Sequence, residues 1–279
     1  MSEKTVAVFL CNKEYYSKFR YTCFLLVNRG KYTGDIVLVI GDDLYDKETN
    51  RFINDEDELI TENNIKIKYF PNYEFTDEFL EKQKSLNRDA YWFEKRFQFH
   101  KFNLFDVYFK QWDYVFYIDC GVHIFSEVSP ILNEKQQHTI LANRDGLDGE
   151  TAAWCVPETP GQGVKIGDQF TKTDPIYEAL SKSYDMKQPY FQTTVMLYHS
   201  EIITENTVSD LYDLLFRYPI SITNDQAIIG LYFTQVKPCW VQLRRKNDET
   251  YFYDYVRCIN QDYIMLKSLN GSFINVGYG

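Results

Sequence analysis

The chain of 279 residues contains no apolar run of the roughly 18 residues that a membrane span requires. No two of its cysteines are spaced as CxxC, so neither a zinc knuckle nor a dithiol redox motif is visible. No GxGxxG follows an apolar run, which disfavours a dinucleotide-binding fold. Positive charge is short: 30 Lys and Arg face 40 Asp and Glu, for a formal net charge of −10. Nucleic-acid binders usually show a basic face, so that class is disfavoured. An acidic protein can still hold an anionic nucleotide if a few basic groups and backbone amides are placed locally. Internal repeats and linker-like stretches are also missing, so one domain over residues 1–279 is expected. The opening "MSEKTVAVFL" is charged and then strand-like, without a signal peptide's long apolar core. A soluble, cytoplasmic protein is the expectation.

What is present is a large apolar and aromatic complement. Hydrophobic residues make up 44%, with 23 Tyr and 21 Phe, which excludes disorder and permits a sizeable core. The six cysteines (Cys11, Cys23, Cys120, Cys155, Cys239, Cys258) are expected as free thiols packed like small hydrophobes. "VAVFL" (Val6 to Leu10), "DIVLVI" (Asp35 to Ile40), "IKIKYF", "YVFYI" and "TILA" (Thr139 to Ala142) read as strands. "YYSKFRYTCFLLVNRG" reads as a helix stopped by Gly30, and Phe93 to Phe109 has a helical period. Continuous apolar strands alternating with helices predict an α/β fold with a mostly parallel sheet covered on both faces. The segment Gly146 to Thr173 is rich in glycine and proline and lacks periodicity, as functional loops often do.

Ligands of open α/β sheets bind beyond the carboxyl ends of the strands. Strand after strand here stops on polar residues: Asn12, Asp42 with Asp43, Asp119, and Arg144 with Asp145. Any one could be a turn or cap residue; their recurrence points to a site. Asp119 is the sharpest case, since a buried apolar run ends on a carboxylate followed by Cys120 and Gly121. On the preceding helix, Phe97, Lys101, Leu104 and Tyr108 fall on one face. A lysine in that stripe either snorkels to the edge or holds an anion near the sheet.

"KFNLFDVYFKQWDYVFYIDCGVHIF" (Lys101 to Phe125) resembles the core of GT-A-fold glycosyltransferases of the glycogenin type. There a lysine-bearing helix precedes "YDKVLYLDAD", whose first Asp opens an Asp-x-Asp motif. "YFQTTVMLY" (Tyr190 to Tyr198) is similar to the family's "FNSGVMLI", and "TNDQAIIGLYF" (Thr223 to Phe233) to its Asp-Gln helix start. The resemblance covers about Val6 to Phe233. Soluble transferases of large algal viruses also look similar in scale.

The resemblance implies a Rossmann-like GT-A sheet in a single domain. Residues 1–145 would be its nucleotide-sugar half and 146–279 its acceptor half. It implies transfer of a hexose or xylose from a nucleotide sugar, with a UDP-sugar as donor, onto a glycan acceptor. Leu10, Cys11, Asn12 and Tyr15 (or Tyr16) would hold the nucleotide, with Lys101, Asp119 and Gly121 near the diphosphate. Asp119 would ligate a manganese or magnesium ion. Departures are plain: the motif's second acid is Gly121, its Asn and Gly are Gln192 and Thr194, and its late histidine has no counterpart after His199. "KPCW" (Lys237 to Trp240) is like the basic element that follows that histidine but comes early.

Glycosyl transfer builds negative charge on the leaving phosphate, which a metal or Lys/Arg must stabilise. Without a metal, Lys101 and the Arg244–Arg245–Lys246 cluster are the candidates, though a solvated turn also explains that cluster. His123 shares the face of Asp119 by period two, and a satisfied structural histidine is the plainer reading. An inverting reaction would need a carboxylate base from Asp145, Asp148, Glu150 or Asp225. Asp225 could equally be a first-turn acid beside a Thr223-x-x-Gln226 capping box. A retaining reaction needs no dedicated base and would place Gln192 at the sugar. Two other classes stay open. A sugar-phosphate nucleotidyltransferase is disfavoured because "CNKEYY" stands where its glycine-rich loop would be. A non-catalytic nucleotide-sugar or glycan-binding protein would explain the altered metal motif.

Overall fold

The structure, a computed structural model, describes residues 3–86, 95–145, 165–243, 246–247, 250–256 and 262–268. The apolar runs form strands where expected. They are β1 (Thr5–Cys11), β2 (Asp35–Ile40), β3 (Lys66–Tyr69), β4 (Tyr114–Ile118), β5 (His123–Ile124), β6 (Ile140–Arg144), β7 (Phe191–His199) and β8 (Trp240–Gln242). Seven of these make one sheet in the order β8-β6-β7-β4-β1-β2-β3. Within it, β7 runs antiparallel to β4 and β6, and every other pairing is parallel. Residues 1–145 and 146–279 interlock, because β7 is inserted between β4 and β6.

Buried apolar residues on both faces are why the sheet is covered twice. Val6, Val8 and Leu10 of β1 face the helices Thr207–Arg217 and Asp225–Leu231, while Ala7, Phe9 and Cys11 face the helix Tyr16–Asn28. Phe9 and Phe19 are both fully buried, with ring centroids 5.4 Å apart. Burying one such ring contributes roughly 1.5–3 kcal/mol. The Tyr16 helix ends as expected at Gly30, whose amide bonds the Leu25 carbonyl at 2.9 Å. The four described cysteines, Cys11, Cys23, Cys120 and Cys239, are free thiols. No described helix is long and apolar enough to cross a membrane.

Two elements differ from the reading of the sequence. The helix expected over Phe93 to Phe109 is a 3-10 helix, Lys95–Phe105, followed by a second, Val107–Gln111, capped by Asp106. With three residues per turn, Lys101 eclipses Leu104 and not Phe97. Phe97 instead stacks on His100, with ring centroids 4.9 Å apart. The second difference is a four-stranded sheet made by β9 (Lys246–Asn247), β10 (Thr250–Val256), β11 (Tyr263–Ser268) and β5. All of its strands but β5 lie beyond Phe233, past the stretch that the resemblance covers. It brings the C-terminal part of the chain against the end of β4.

Candidate active site

Asp119 follows β4 directly, and its amide bonds the Thr194 carbonyl at 2.8 Å, tying the turn to β7. Gly121 has φ +91, a conformation that side chains disfavour. Its amide donates to Thr22 Oγ1 at 2.8 Å, which fixes that conformation. The second acid of the resembled motif is therefore missing at a position whose backbone requires glycine.

Lys101 is buried, and the anions it faces are the protein's own. Its Nζ lies 3.3 Å from Asp119 Oδ1 and 3.1 Å from Asp225 Oδ2. It also donates to Thr193 Oγ1 at 3.2 Å and to the Thr193 carbonyl at 3.4 Å. Thr193 Oγ1 donates to Asp225 Oδ2 at 2.9 Å. The other oxygen of Asp119, Oδ2, accepts from Lys267 Nζ at 2.8 Å, and Tyr117 donates its hydroxyl to Oδ1. Asp119 thus sits between two ammonium groups.

The charges respond accordingly. Burial alone would lower the Lys101 pKa, but Asp119 and Asp225 outweigh it and hold it above the ordinary lysine value. Burial would raise Asp119, yet Lys101 and Lys267 pull it down to about 2. Asp225 is raised, first by burial and then by Asp119, with Lys101 opposing. Asp119 binds fewer protons folded than unfolded, so it stabilises the fold above pH about 4 and loses that contribution as pH falls toward about 2. The shift corresponds to about 2 kcal/mol. Urea denaturation of wild type and Asp119→Asn should show a stability gap that is constant above pH about 4 and closes toward pH about 2. A gap independent of pH would contradict this charge arrangement.

A second cluster adjoins the first through β7 and the Asp225 helix. Asp145 accepts from Gln192 Nε2 at 3.1 Å, from Gln226 Nε2 at 2.9 Å and from the Tyr190 hydroxyl. The Thr193 amide donates to Gln226 Oε1 at 3.3 Å, which links the clusters. The expected capping box does not form: the residue before the helix is Asn224 at φ 51, without a side-chain cap, and Gln226 is turned to Asp145. Asp225, Asp145 and Gln192 therefore do come together.

At the end of β1, Leu10 accepts from the Cys120 thiol at 3.2 Å, so that strand end touches the Asp119 turn. Cys11 is buried beside Cys120, and burial raises its thiol pKa well above the ordinary value. Asn12 caps the following turn through the Tyr15 amide at 3.0 Å, and Asp43 accepts from the Lys13 amide at 2.7 Å. The Tyr15 ring lies under Lys18 Nζ, 4.1 Å from its centroid. His123 turns to the Tyr16 helix, bonding Tyr21 and, at 3.1 Å, Arg29; burial lowers its pKa to about 4. Lys237 pairs with Asp210 at 3.4 Å, before the start of β8 and so at the other end of the sheet. Asp148, Glu150, Arg244, Arg245 and residues 146–164 of the long loop lie outside the described residues, as does the side chain of Lys246.

Lys267, Gln226, Thr193, Tyr117 and Tyr190 escaped the sequence reading. Lys267 ends an apolar strand with no motif around it. Gln226 was visible only as a cap partner.

The residues at Asp119 do not suit a manganese or magnesium ion. Such cations take six or more oxygen ligands. Among the described residues, both oxygens of Asp119 face ammonium groups, the neighbouring Asp225 carboxylate is tied to Lys101 and Thr193, and Gly121 offers no side chain.

No protein-family model and no curated protein sequence matches the chain. Solved structures do. The galactosyltransferase LgtC, determined with donor and acceptor sugar analogues, superposes with a TM-score of 0.54 at 11% identity, over 90% of this chain and 75% of that one. The chain has the GT-A fold. Mouse xyloside xylosyltransferase 1 superposes at a TM-score of 0.52 and 10% identity, over 96% of this chain and 98% of that one. The Streptococcus pneumoniae glycosyltransferase GlyE gives 0.49 at 14% identity; 87% of this chain spans 45% of its length. Within the GT-A fold, the Asp119 and Asp145 clusters lie where the parallel strands end, the place where open α/β sheets bind ligands.

Proposed function

We propose that the protein is a glycosyltransferase that moves a hexose or xylose from a UDP-sugar to a glycan, with lysine in place of a metal at the leaving group. The observation that carries this is Lys267 Nζ, held 2.8 Å from Asp119 Oδ2 where β4 ends. Lys267 is partly exposed and Lys101 is not, so Lys267 is the ammonium that meets the diphosphate, and Lys101 fixes Asp119 behind it. The fold shared with LgtC and the xylosyltransferase supports a nucleotide-sugar donor, bound along the ends of β1 and β4. Leu10, Cys11, Asn12 and Tyr15 line the base side, and Asp145 with Gln192 faces the sugar.

In the reaction, the bond from the anomeric carbon to the diphosphate breaks, and a bond from the acceptor oxygen forms. The acceptor proton goes to the departing phosphate oxygen. Asp119 is held in its charged form by Lys101 and Lys267, which makes it a weak base. Fixed donors aimed at the developing charge lower the barrier because they need no reorganisation.

Thermal denaturation with UDP, GDP and their sugars tests this reading, since a bound ligand raises the melting temperature by mass action. UDP and a UDP-sugar should raise it equally with manganese and with a chelator, and the UDP-sugar should be slowly hydrolysed. Loss of the shift on chelation would return the diphosphate to a metal. Binding without hydrolysis or transfer would leave a nucleotide-sugar-binding protein, and no nucleotide shift would leave the fold alone.

A further inference from the structure

The end of the sheet away from Asp119 holds a group that the proposed reaction does not use. β7 ends on His199, which pairs with Tyr114 at the start of β4, about 17 Å of strand from Asp119. His199 is 8% exposed, and its buried Nδ1 has no hydrogen-bond partner. A buried polar atom left unpaired costs roughly 1–3 kcal/mol, so it needs a reason. That nitrogen lies 3.7 Å from Glu201 Oε2, too far for a hydrogen bond. His138 Nδ1 lies 3.2 Å from the same oxygen. One ligand atom from each of the three residues falls within 4.8 Å of the others.

The local backbone supports the grouping. His138 has φ 57, uncommon for a residue with a side chain. The next residue, Thr139, accepts the His199 amide at 3.0 Å, which anchors the turn to the end of β7. Glu201 lies in the short turn Ser200–Ile202 immediately after the strand. His138 is thereby brought beside His199 and Glu201, which stand two residues apart in the chain.

We infer that His138, His199 and Glu201 bind a transition-metal ion of the zinc class. A tetrahedral zinc with bonds of about 2.0–2.1 Å spaces its ligand atoms about 3.4 Å apart, and the two separations above bracket that value. Two imidazoles and one carboxylate suit zinc or its neighbours, not magnesium or calcium, which want oxygen alone. His138 and Glu201 are exposed, so an ion can enter and water can fill the fourth position. Bound there, the ion clamps the turn before β6 to the end of β7 and stabilises the folded state.

The test is zinc titration of the chelator-stripped full chain against a chromophoric chelator, repeated with His138→Ala and Glu201→Gln. Both side chains are exposed, so both variants should fold, which circular dichroism checks. One equivalent of zinc should bind, each variant should weaken it at least about tenfold, and Asp119→Asn should leave it unchanged. Cobalt should give a tetrahedral spectrum without thiolate charge transfer. No stoichiometric binding, wild-type affinity in both variants, or a thiolate band would each overturn the assignment.

Discussion

Lys101→Met should lower the unfolding free energy by about 3–5 kcal/mol, the usual cost of removing one partner from a buried ion network. Read from sequence, this substitution looks mild, because methionine fits an apolar stripe. The structure reverses that expectation. Lys101 is the cation between Asp119 and Asp225, and removing it leaves two carboxylates facing each other with little water. Asp225, with its side chain 4% exposed and its pKa already raised, takes the larger penalty and will bind a proton. Two measurements follow. Chemical denaturation at neutral pH should show the loss, and the same experiment at pH about 4 should show less of it, since protonation removes one charge. The double variant Lys101→Met with Asp225→Asn should recover part of the stability. A single variant within about 1 kcal/mol of wild type would mean that Lys101 is not the linchpin of this site.

Lys267→Ala is the complementary change, with a small effect on the fold and a large one on catalysis. Lys267 is partly exposed, and Asp119 keeps Lys101 and Tyr117 as partners without it. If Lys267 is the cation at the leaving diphosphate, its loss should lower turnover by about 10²–10³, the range for deleting one charge-stabilising donor. The effect should fall on kcat more than on KM, because the charge it meets develops in the transition state. Lys267→Arg should recover part of it. Turnover unchanged in Lys267→Ala would remove lysine from the chemistry and reopen the question of what neutralises the diphosphate.

Much of the fold was legible in the chain. "VAVFL", "DIVLVI" and "YVFYI" are continuous apolar runs, and only a sheet buried on both faces accommodates such runs. That is why the parallel core, the strand-end position of Asp119 and the fold type could be read by period and composition. Asp225, Asp145 and Gln192 were also within reach, since each stands next to an apolar element in an order the GT-A resemblance shares.

What tertiary structure decided was who faces whom. The sequence placed Lys101 on a stripe but could not say that its partners lie 18 and 124 residues away, nor that its helix is wound with three residues per turn. Gln226 looked like a cap and became a ligand of Asp145, because the backbone turns at Asn224 before the helix starts. Lys267 had no local signature at all. It reaches Asp119 because a late strand pairs with a two-residue strand just after the Asp119 turn. Periodicity records which face of an element is dry, since that depends on neighbours in the chain. Ion pairs and hydrogen bonds across elements depend on register and packing between segments far apart, and no local pattern encodes them.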